Sequence, residues 1–324
     1  MFDTIRCSAS GLNLDESRLL GRGFQRVDTT KVDGEGELKD SRRYQLMRKG
    51  EYPHYLAYGP ESGTLVAETS LPKMRHKSNV VMIAPGEVPA VLDEFSNRVW
   101  DIVGDVPPVN KWDVRGRLDA CYAWDVRMNG KNYVADYLNA LKSVELSRHY
   151  SQNVDRESTL YWRNGSRVIR MYDKEKESRD KNARGLLRFE VEMKHAKKEL
   201  GFSGGELKVG DVLNWETARG VMEKYLDGLG TDLVISDEKM LVIRLIDVYG
   251  YARARRLYGS LKILQLYQDG ELKAKFSAER TMLWRDRREI QSSGVNAAIS
   301  DSGILPPLML PLEFDGMPYS VAAE

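Results

Sequence analysis

Seven short runs in the first two hundred residues carry the composition and punctuation of β-strands, and they constrain the fold more than any other feature of the chain. They are Tyr52–Tyr58, Thr64–Thr69, Asn79–Ile83, Val114–Val126, Ser158–Arg163, Ser166–Asp173 and Leu186–Lys194, rich in aliphatic or aromatic residues and punctuated by Gly, Pro, Asn or Asp. Seven strands need a substantial sheet. Arg163-Asn164-Gly165-Ser166 sets an Asn-Gly pair between two of the runs, which predicts a hairpin with a tight turn. Helices are predicted at Val88–Val103, where Val91, Leu92, Phe95, Val99 and Trp100 recur at helical spacing, and at Asn132–Ser143.

After about Gly201 the apolar period lengthens to three or four residues. Trp215–Leu226, Asp237–Val248, Ala252–Tyr267, Glu271–Phe276 and Glu279–Gln291 all read as helices. The reading is therefore α+β: an antiparallel-rich sheet domain over residues 1–200, a helical region over 201–292, and an extended, docked tail over 293–324 that holds Gly303, Pro306, Pro307 and Pro311. No internal repeat is found.

A chain of 324 residues has room for two domains, and its 42% hydrophobic and 30% charged residues describe a soluble globular protein. No stretch approaches the roughly 18 consecutive apolar residues of a membrane-spanning helix, and the first twenty residues lack the pattern of a secretion signal. Cys7 and Cys121 stand far apart and in no C-x-x-C arrangement, so neither a disulfide framework nor a zinc ribbon is available, and a reducing cytoplasm is the expected location. The net charge of +1 would speak against a polyanionic partner, but its distribution does not. Between Arg253 and Arg288, ten basic residues face four acidic ones. Nucleic acid is thus a candidate partner.

Several strands carry charge in alternation. In Arg117–Asp125, Asp119, Cys121, Ala123 and Asp125 share one face, so Asp119 sits among small residues with room for a metal ion or a phosphate, unless it only closes a strand-end salt bridge. In Arg188–Lys194, Arg188, Glu190, Glu192 and Lys194 alternate with Phe189, Val191 and Met193, the pattern of a solvent-facing side. Glu68 is a third strand carboxylate. Three such strands make an oxygen-ligand site for Mg²⁺ or Mn²⁺ possible. Between them, Val168, Arg170 and Tyr172 share a face just before Lys174. A tyrosine beside Arg and Lys can serve as the nucleophile of a phosphoryl transfer if cations stabilise the phenoxide, or it can be a packed strand residue.

The order of these segments resembles the motif set of rolling-circle replication initiators, both the filamentous-phage initiators and the Rep_trans plasmid initiators. The residues that carry the resemblance are Leu65–Lys73, Arg117-Leu118-Asp119, Gly165–Lys174 and Leu187–Lys194. The resemblance implies a sheet-based nicking and joining domain. In it Tyr172 would attack an origin phosphodiester, become linked to the 5′ phosphate and leave a 3′ hydroxyl, with Arg170 or Lys174 neutralising charge. It also implies a divalent metal, Mg²⁺ or Mn²⁺. Many relatives hold it on a His-hydrophobic-His strand, but His54, His76, His149 and His195 form no such pair here. Asp119 is then the leading ligand, with Glu68, Glu190 or Glu192 completing the set. The implied partners are double- and single-stranded origin DNA and a host helicase and polymerase, with no membrane and with a homodimer possible. No G-x-x-x-x-G-K-[ST] sequence occurs.

Residues 252–290 resemble a helix-turn-helix with Ser277 as N-cap. Met282, Leu283 and Ile290 would pack inward, leaving Arg280, Arg285, Arg287 and Arg288 outside to read duplex DNA. The rival to the enzyme is a non-catalytic DNA-binding repressor or architectural protein, in which the sheet is scaffold and the basic helices bind.

Overall fold

The computed structural model of the protein describes residues 1–32, 38–142, 144, 146, 150–155, 158–202, 204–266 and 278–321. The fold is α+β. Its strands are β1 (Phe2–Ala9), β2 (Gln25–Val32), β3 (Leu38–Met47), β4 (Tyr55–Gly59), β5 (Thr64–Ser70), β6 (Asp113–Asp125), β7 (Arg127–Met128), β8 (Lys131–Asn132), β9 (Ser151–Asp155), β10 (Thr159–Arg163), β11 (Arg167–Asp173), β12 (Leu186–Met193), β13 (Val234–Ser236), β14 (Val295–Ile299) and β15 (Tyr319–Ser320). The chain divides into two compact units, each drawn from separated stretches: Met1–Cys121, Val191–Val221 and Glu313–Met317 in the first, Tyr122–Glu190, Met222–Leu312 and Pro318–Glu324 in the second.

In the first unit the strands run in the order β2-β3-β4-β5-β1-β6, every neighbouring pair antiparallel. β1 lies inside this order although its sequence, FDTIRCSA, alternates only from Ile5 onward and opens on the polar pair Asp3-Thr4. Its polar residues are tied down instead: the buried Asp3 carboxylate accepts from Ser70 Oγ at 2.7 Å and from Asn79 Nδ2 at 3.3 Å. That second bond bears on Asn79–Ile83, expected as a strand. The segment is bent and pairs with nothing regular, yet Val80, Met82 and Ile83 are buried. An apolar run without alternation reports burial, not a ladder.

Pairing of β1 with β6 slips twice, so that Ile5 faces Leu118 while Cys7 faces Val114. Gly116 has φ +83° within the slipped stretch, a conformation open to glycine, and the bulge re-aims the residues that follow it, Arg117 and Asp119. The helix Val88–Val103 forms with the expected bounds and buries Val91, Leu92, Phe95 and Val99.

In the second unit β12, β11, β10 and β9 lie side by side. The hairpin turn is where the Asn-Gly pair placed it: Thr159 faces Tyr172, Arg163 faces Val168, and Asn164 Oδ1 accepts from the backbone of both Ser166 and Arg167 at 2.9 Å. The predicted helices appear as Val134–Leu141, Trp215–Leu229, Glu238–Tyr249, Tyr251–Leu266 and Arg280–Ser292. Glu271–Phe276 and the turn before it lie outside the described residues. Leu241, Leu245, Ala254, Leu257, Leu261, Ile290 and Ala297 form one buried cluster, uniting three of these helices with β14. Residues after Ser300 pack by backbone: Tyr137 Oη donates to Pro306 O and Trp124 Nε1 to Met309 O, both at 2.7 Å, and β15 pairs with β6 at Trp124. Among the described residues no helix is long and apolar enough to cross a membrane.

Leu245 is fully buried in the helical cluster. Leu245→Ala should lower unfolding free energy by about 2–5 kcal/mol, from the lost transfer energy and the cavity left behind. A urea titration followed by circular dichroism measures it.

Candidate functional site

Two groups of charged side chains stand in the sheet strands, one in each unit. The first centres on Arg117 of β6. Its Nε lies 3.0 Å from both Asp119 oxygens and its Nη2 2.5 Å from Asp119 Oδ2, a fork on a carboxylate two residues along the same strand. The same guanidinium reaches Glu68 of β5 at 3.7 Å and Glu192 of β12 at 3.5 Å. Three carboxylates therefore meet at one cation. Glu68 has further partners, Arg6 at 3.6 Å and His54 Nε2 at 3.4 Å.

Burial sets the electrostatics. The Asp119 side chain is 1% exposed and Glu68 14%, while Arg117 keeps 34%. The hydrogen bond from His54 lowers the Glu68 carboxyl below the usual carboxylate range, with help from Arg117 and Arg6 and against the opposing effect of burial. Burial pulls the Arg117 guanidinium down, but the hydrogen bond and charge of Asp119, with Glu192 and Glu68, raise it overall. Arg117 is charged at any working pH.

The second group surrounds Tyr172 at the end of β11. Its hydroxyl donates to Glu190 Oε2 at 3.0 Å, and Arg170, two residues earlier on the same strand, pairs with Glu190 Oε1. Asp173 caps the short helix Lys174–Ser178 by accepting from Lys176 N at 3.2 Å. Strand thus passes directly into helix, and the buried Lys174 Nζ comes to lie 5.6 Å from the Tyr172 ring centroid and 2.5 Å from Glu177. Tyr172 itself is only 4% exposed.

Of the expected site residues, Glu68, Asp119 and Glu192 are brought together at Arg117, and Tyr172, Arg170 and Lys174 form the second group. Glu190 is bonded within the tyrosine group. The Arg188–Lys194 alternation does not mark a solvent-facing side: Arg188 and Glu190 are buried along with Phe189 and Val191, because β12 is covered on both faces. Sequence reasoning missed the roles of Arg117, Arg6, His54 and Glu177. Only Arg117 carried a usable signal, its two-residue spacing from Asp119 on one strand.

The donors Glu68, Asp119 and Glu192 are carboxylate oxygens, the chemistry that Mg²⁺ and Mn²⁺ prefer. Their convergence on one cationic group shows that they can compensate a shared positive charge. The position is filled by the Arg117 guanidinium, and among the described residues no three His, Cys, Asp or Glu side chains stand ready around a metal position. The donor types suit a hard divalent ion, but as placed they are engaged by Arg117 and form no metal position.

On the helix Arg280–Ser292, Arg285 and Arg288 are exposed, and Arg288 lies 5.0 Å above the Trp284 ring. Two residues point opposite to expectation. Arg287 is buried and donates to Gly228 O at 3.1 Å, while Met282 is exposed. Of the adjacent pair Met282 and Leu283, Leu283 is the one that faces the core. The side chain of Arg280 lies outside the described residues. Much of the basic charge of this region is compensated, since Arg256 pairs with both Asp286 and Glu289 at 3.2 Å and Arg253 pairs with Glu289.

Residues 96–217 match the family model described as the N-terminal part of a phage replication-associated protein. Over this segment, somewhat more than a third of its length, the chain is similar to that family. The match contains Arg117, Asp119, Tyr172, Glu190 and Glu192, and so takes in most of both groups. Among solved structures, the rolling circle replication initiator protein from Geobacillus stearothermophilus is similar at 13% identity with a TM-score of 0.29, covering 61% of this chain and 75% of that one. No curated protein matches.

Because the Glu68 carboxyl is held below its ordinary value, its contribution to stability is present above the unfolded-state pKa and is lost as pH falls through the folded one. Acidification from about pH 5 to pH 3 should therefore destabilise the parent protein more than Glu68→Gln. Denaturant midpoints across that range decide it, and equal slopes would remove the charge compensation assigned to Glu68.

Proposed function

We propose that the chain initiates rolling-circle DNA replication by nicking and rejoining one strand at an origin, with Tyr172 as nucleophile. The observation that carries this reading is the hydrogen bond from Tyr172 Oη to Glu190 inside the family-matched segment, flanked by Arg170 and Lys174. As Tyr172 Oη attacks phosphorus its proton passes to Glu190. The bond to the 3′ oxygen breaks, that oxygen takes a proton from water, and the 5′ phosphate remains on the tyrosine. Joining runs in reverse: a 3′ hydroxyl attacks, and Tyr172 leaves with the proton held on Glu190. The phosphotyrosine ester preserves the energy of the broken bond, so closure needs no nucleotide hydrolysis.

Arg170 orients Glu190 through its second oxygen. Lys174, over the Tyr172 ring, offsets negative charge as the phenoxide forms. Asp119, with Glu68 and Glu192, would hold a divalent ion, whose contribution is to polarise a non-bridging phosphate oxygen. Unwinding and synthesis fall to a host helicase and polymerase. A homodimer at the origin is compatible with this scheme, and residues 1–200 act as the nicking domain with the helices after 201 as the duplex reader.

The test is incubation with supercoiled origin DNA and Mn²⁺, followed by denaturing electrophoresis. The parent protein should yield a DNA-linked band that Tyr172→Phe lacks, while Glu190→Gln should slow nicking by about 10²- to 10⁴-fold. The burial of Tyr172 favours the rival reading, a non-catalytic DNA-binding protein, and a reversible mobility shift with no linked band from the parent would establish it.

Arg285 and Arg288 are the exposed cations of the last long helix and are assigned to duplex contact. Arg285→Ala and Arg288→Ala should each weaken origin-duplex binding by about 1–3 kcal/mol where a base contact is lost. Cleavage of a short single-stranded oligonucleotide should persist. Parallel loss in both assays would return these arginines to the active site or the fold.

A further inference from the structure

A cleft of about 840 Å³ in the first unit lies apart from the residues assigned above. Its lining carries five cations, Arg22, Arg48, Lys73, Lys77 and Arg98, against two carboxylates, Glu51 and Asp101. Two of the cations are already compensated. Arg48 pairs with Glu51, and Arg98 pairs with Glu94 at 2.7 Å while donating to the Tyr52 carbonyl at 3.3 Å. Arg22, Lys73 and Lys77 make no ion pair with any described residue. The cleft therefore presents uncompensated positive charge on rigid supports: Lys73 belongs to the helix Leu71–His76, whose Leu71, Pro72 and Met74 are buried, and Lys77 caps it.

The ligand follows from size and chemistry. A cavity of this volume lies in the range of pockets that take ligands of small or intermediate size. Charge without a dominant carboxylate partner suits repeated phosphates. The lining also holds Tyr52, half-buried, whose ring meets His54 edge-on at 6.2 Å. A flat aromatic face beside a row of cations is the combination that holds a single strand, bases stacking on the ring while the phosphates follow the positive groove.

We propose that this cleft binds the sugar–phosphate backbone of single-stranded DNA, with Lys73, Lys77 and Arg22 on phosphates and Tyr52 against a base. The inference rests on the DNA-processing reading above and adds to it a place for the unpaired strand, outside the tyrosine and carboxylate groups.

The experiment is fluorescence anisotropy of an end-labelled, mixed-sequence oligonucleotide and of its duplex. The full chain is used in a Tyr172→Phe background, so that binding is read without cleavage. Lys73→Gln with Lys77→Gln should weaken single-strand binding roughly tenfold and lower the slope of log affinity against log salt by about 1.4, two phosphate contacts at about 0.7 each. Duplex binding should change less than about twofold, and Lys73→Arg with Lys77→Arg should restore the slope. Tyr52→Leu should weaken binding with the slope intact, because stacking releases no counterions. If thermal unfolding shows that the double Gln variant does not fold, Arg22→Gln, at an exposed position, carries the test with a slope change of about 0.7. An unchanged slope, or equal loss on duplex and single strand, overturns the proposal. The two readings fail separately: a linked band persisting in Tyr172→Phe discards the nucleophile and leaves the cleft, whereas an unchanged slope with that band abolished discards only the cleft.

Discussion

The buried negative charge of Asp119 is the constraint around which the first unit is arranged. A carboxylate with 1% of its side chain exposed cannot stay ionised without a close cation, and removing the partner of such a pair typically costs about 3–5 kcal/mol. Arg117 meets that need from two residues away. The bulge at Gly116 breaks the alternation just before it, and the strand neighbours supply Glu68 to Nη1 of the same guanidinium and Glu192 to the Nη2 that also serves Asp119. One guanidinium is thus shared among three carboxylates. Arg6 and the ring of His54 stand against Glu68 as further partners.

The tyrosine group solves a different problem with the same grammar of alternate strand positions. Arg170 and Tyr172 project from β11 to one carboxylate on β12, and each takes one oxygen of Glu190. Glu190 and Glu192 look equivalent in the sequence, two residues apart on a single strand. Their partners separate them: Glu190 accepts from the phenol of Tyr172 as well as pairing with Arg170, whereas Glu192 pairs with Arg117.

How far this was legible in the sequence depended on how local each cause was. The Asn164-Gly165 turn and the helix Val88–Val103 are set by neighbours within a few residues, and both form where expected. β1 has no local signal because its Asp3 is satisfied by Ser70 and Asn79, which are distant in sequence, and Asn79–Ile83 has the apolar content of a strand because it is buried. Asp119 and Tyr172 could be singled out from pattern and resemblance. That Glu190 belongs to the tyrosine, and that Arg287 turns inward to Gly228, depends on packing that no local window contains.

The backbone bonds at Pro306 and Met309 bear on when the second unit can form during synthesis. Their donors, Tyr137 and Trp124, lie 169 and 185 residues earlier in the chain. A ribosome must therefore finish the helical region before the indole of Trp124 gains its carbonyl partner. Contacts of such long sequence separation form slowly, because the loop they close is large. The second unit thus completes its fold late, after the strands around β1 have already emerged and can pair.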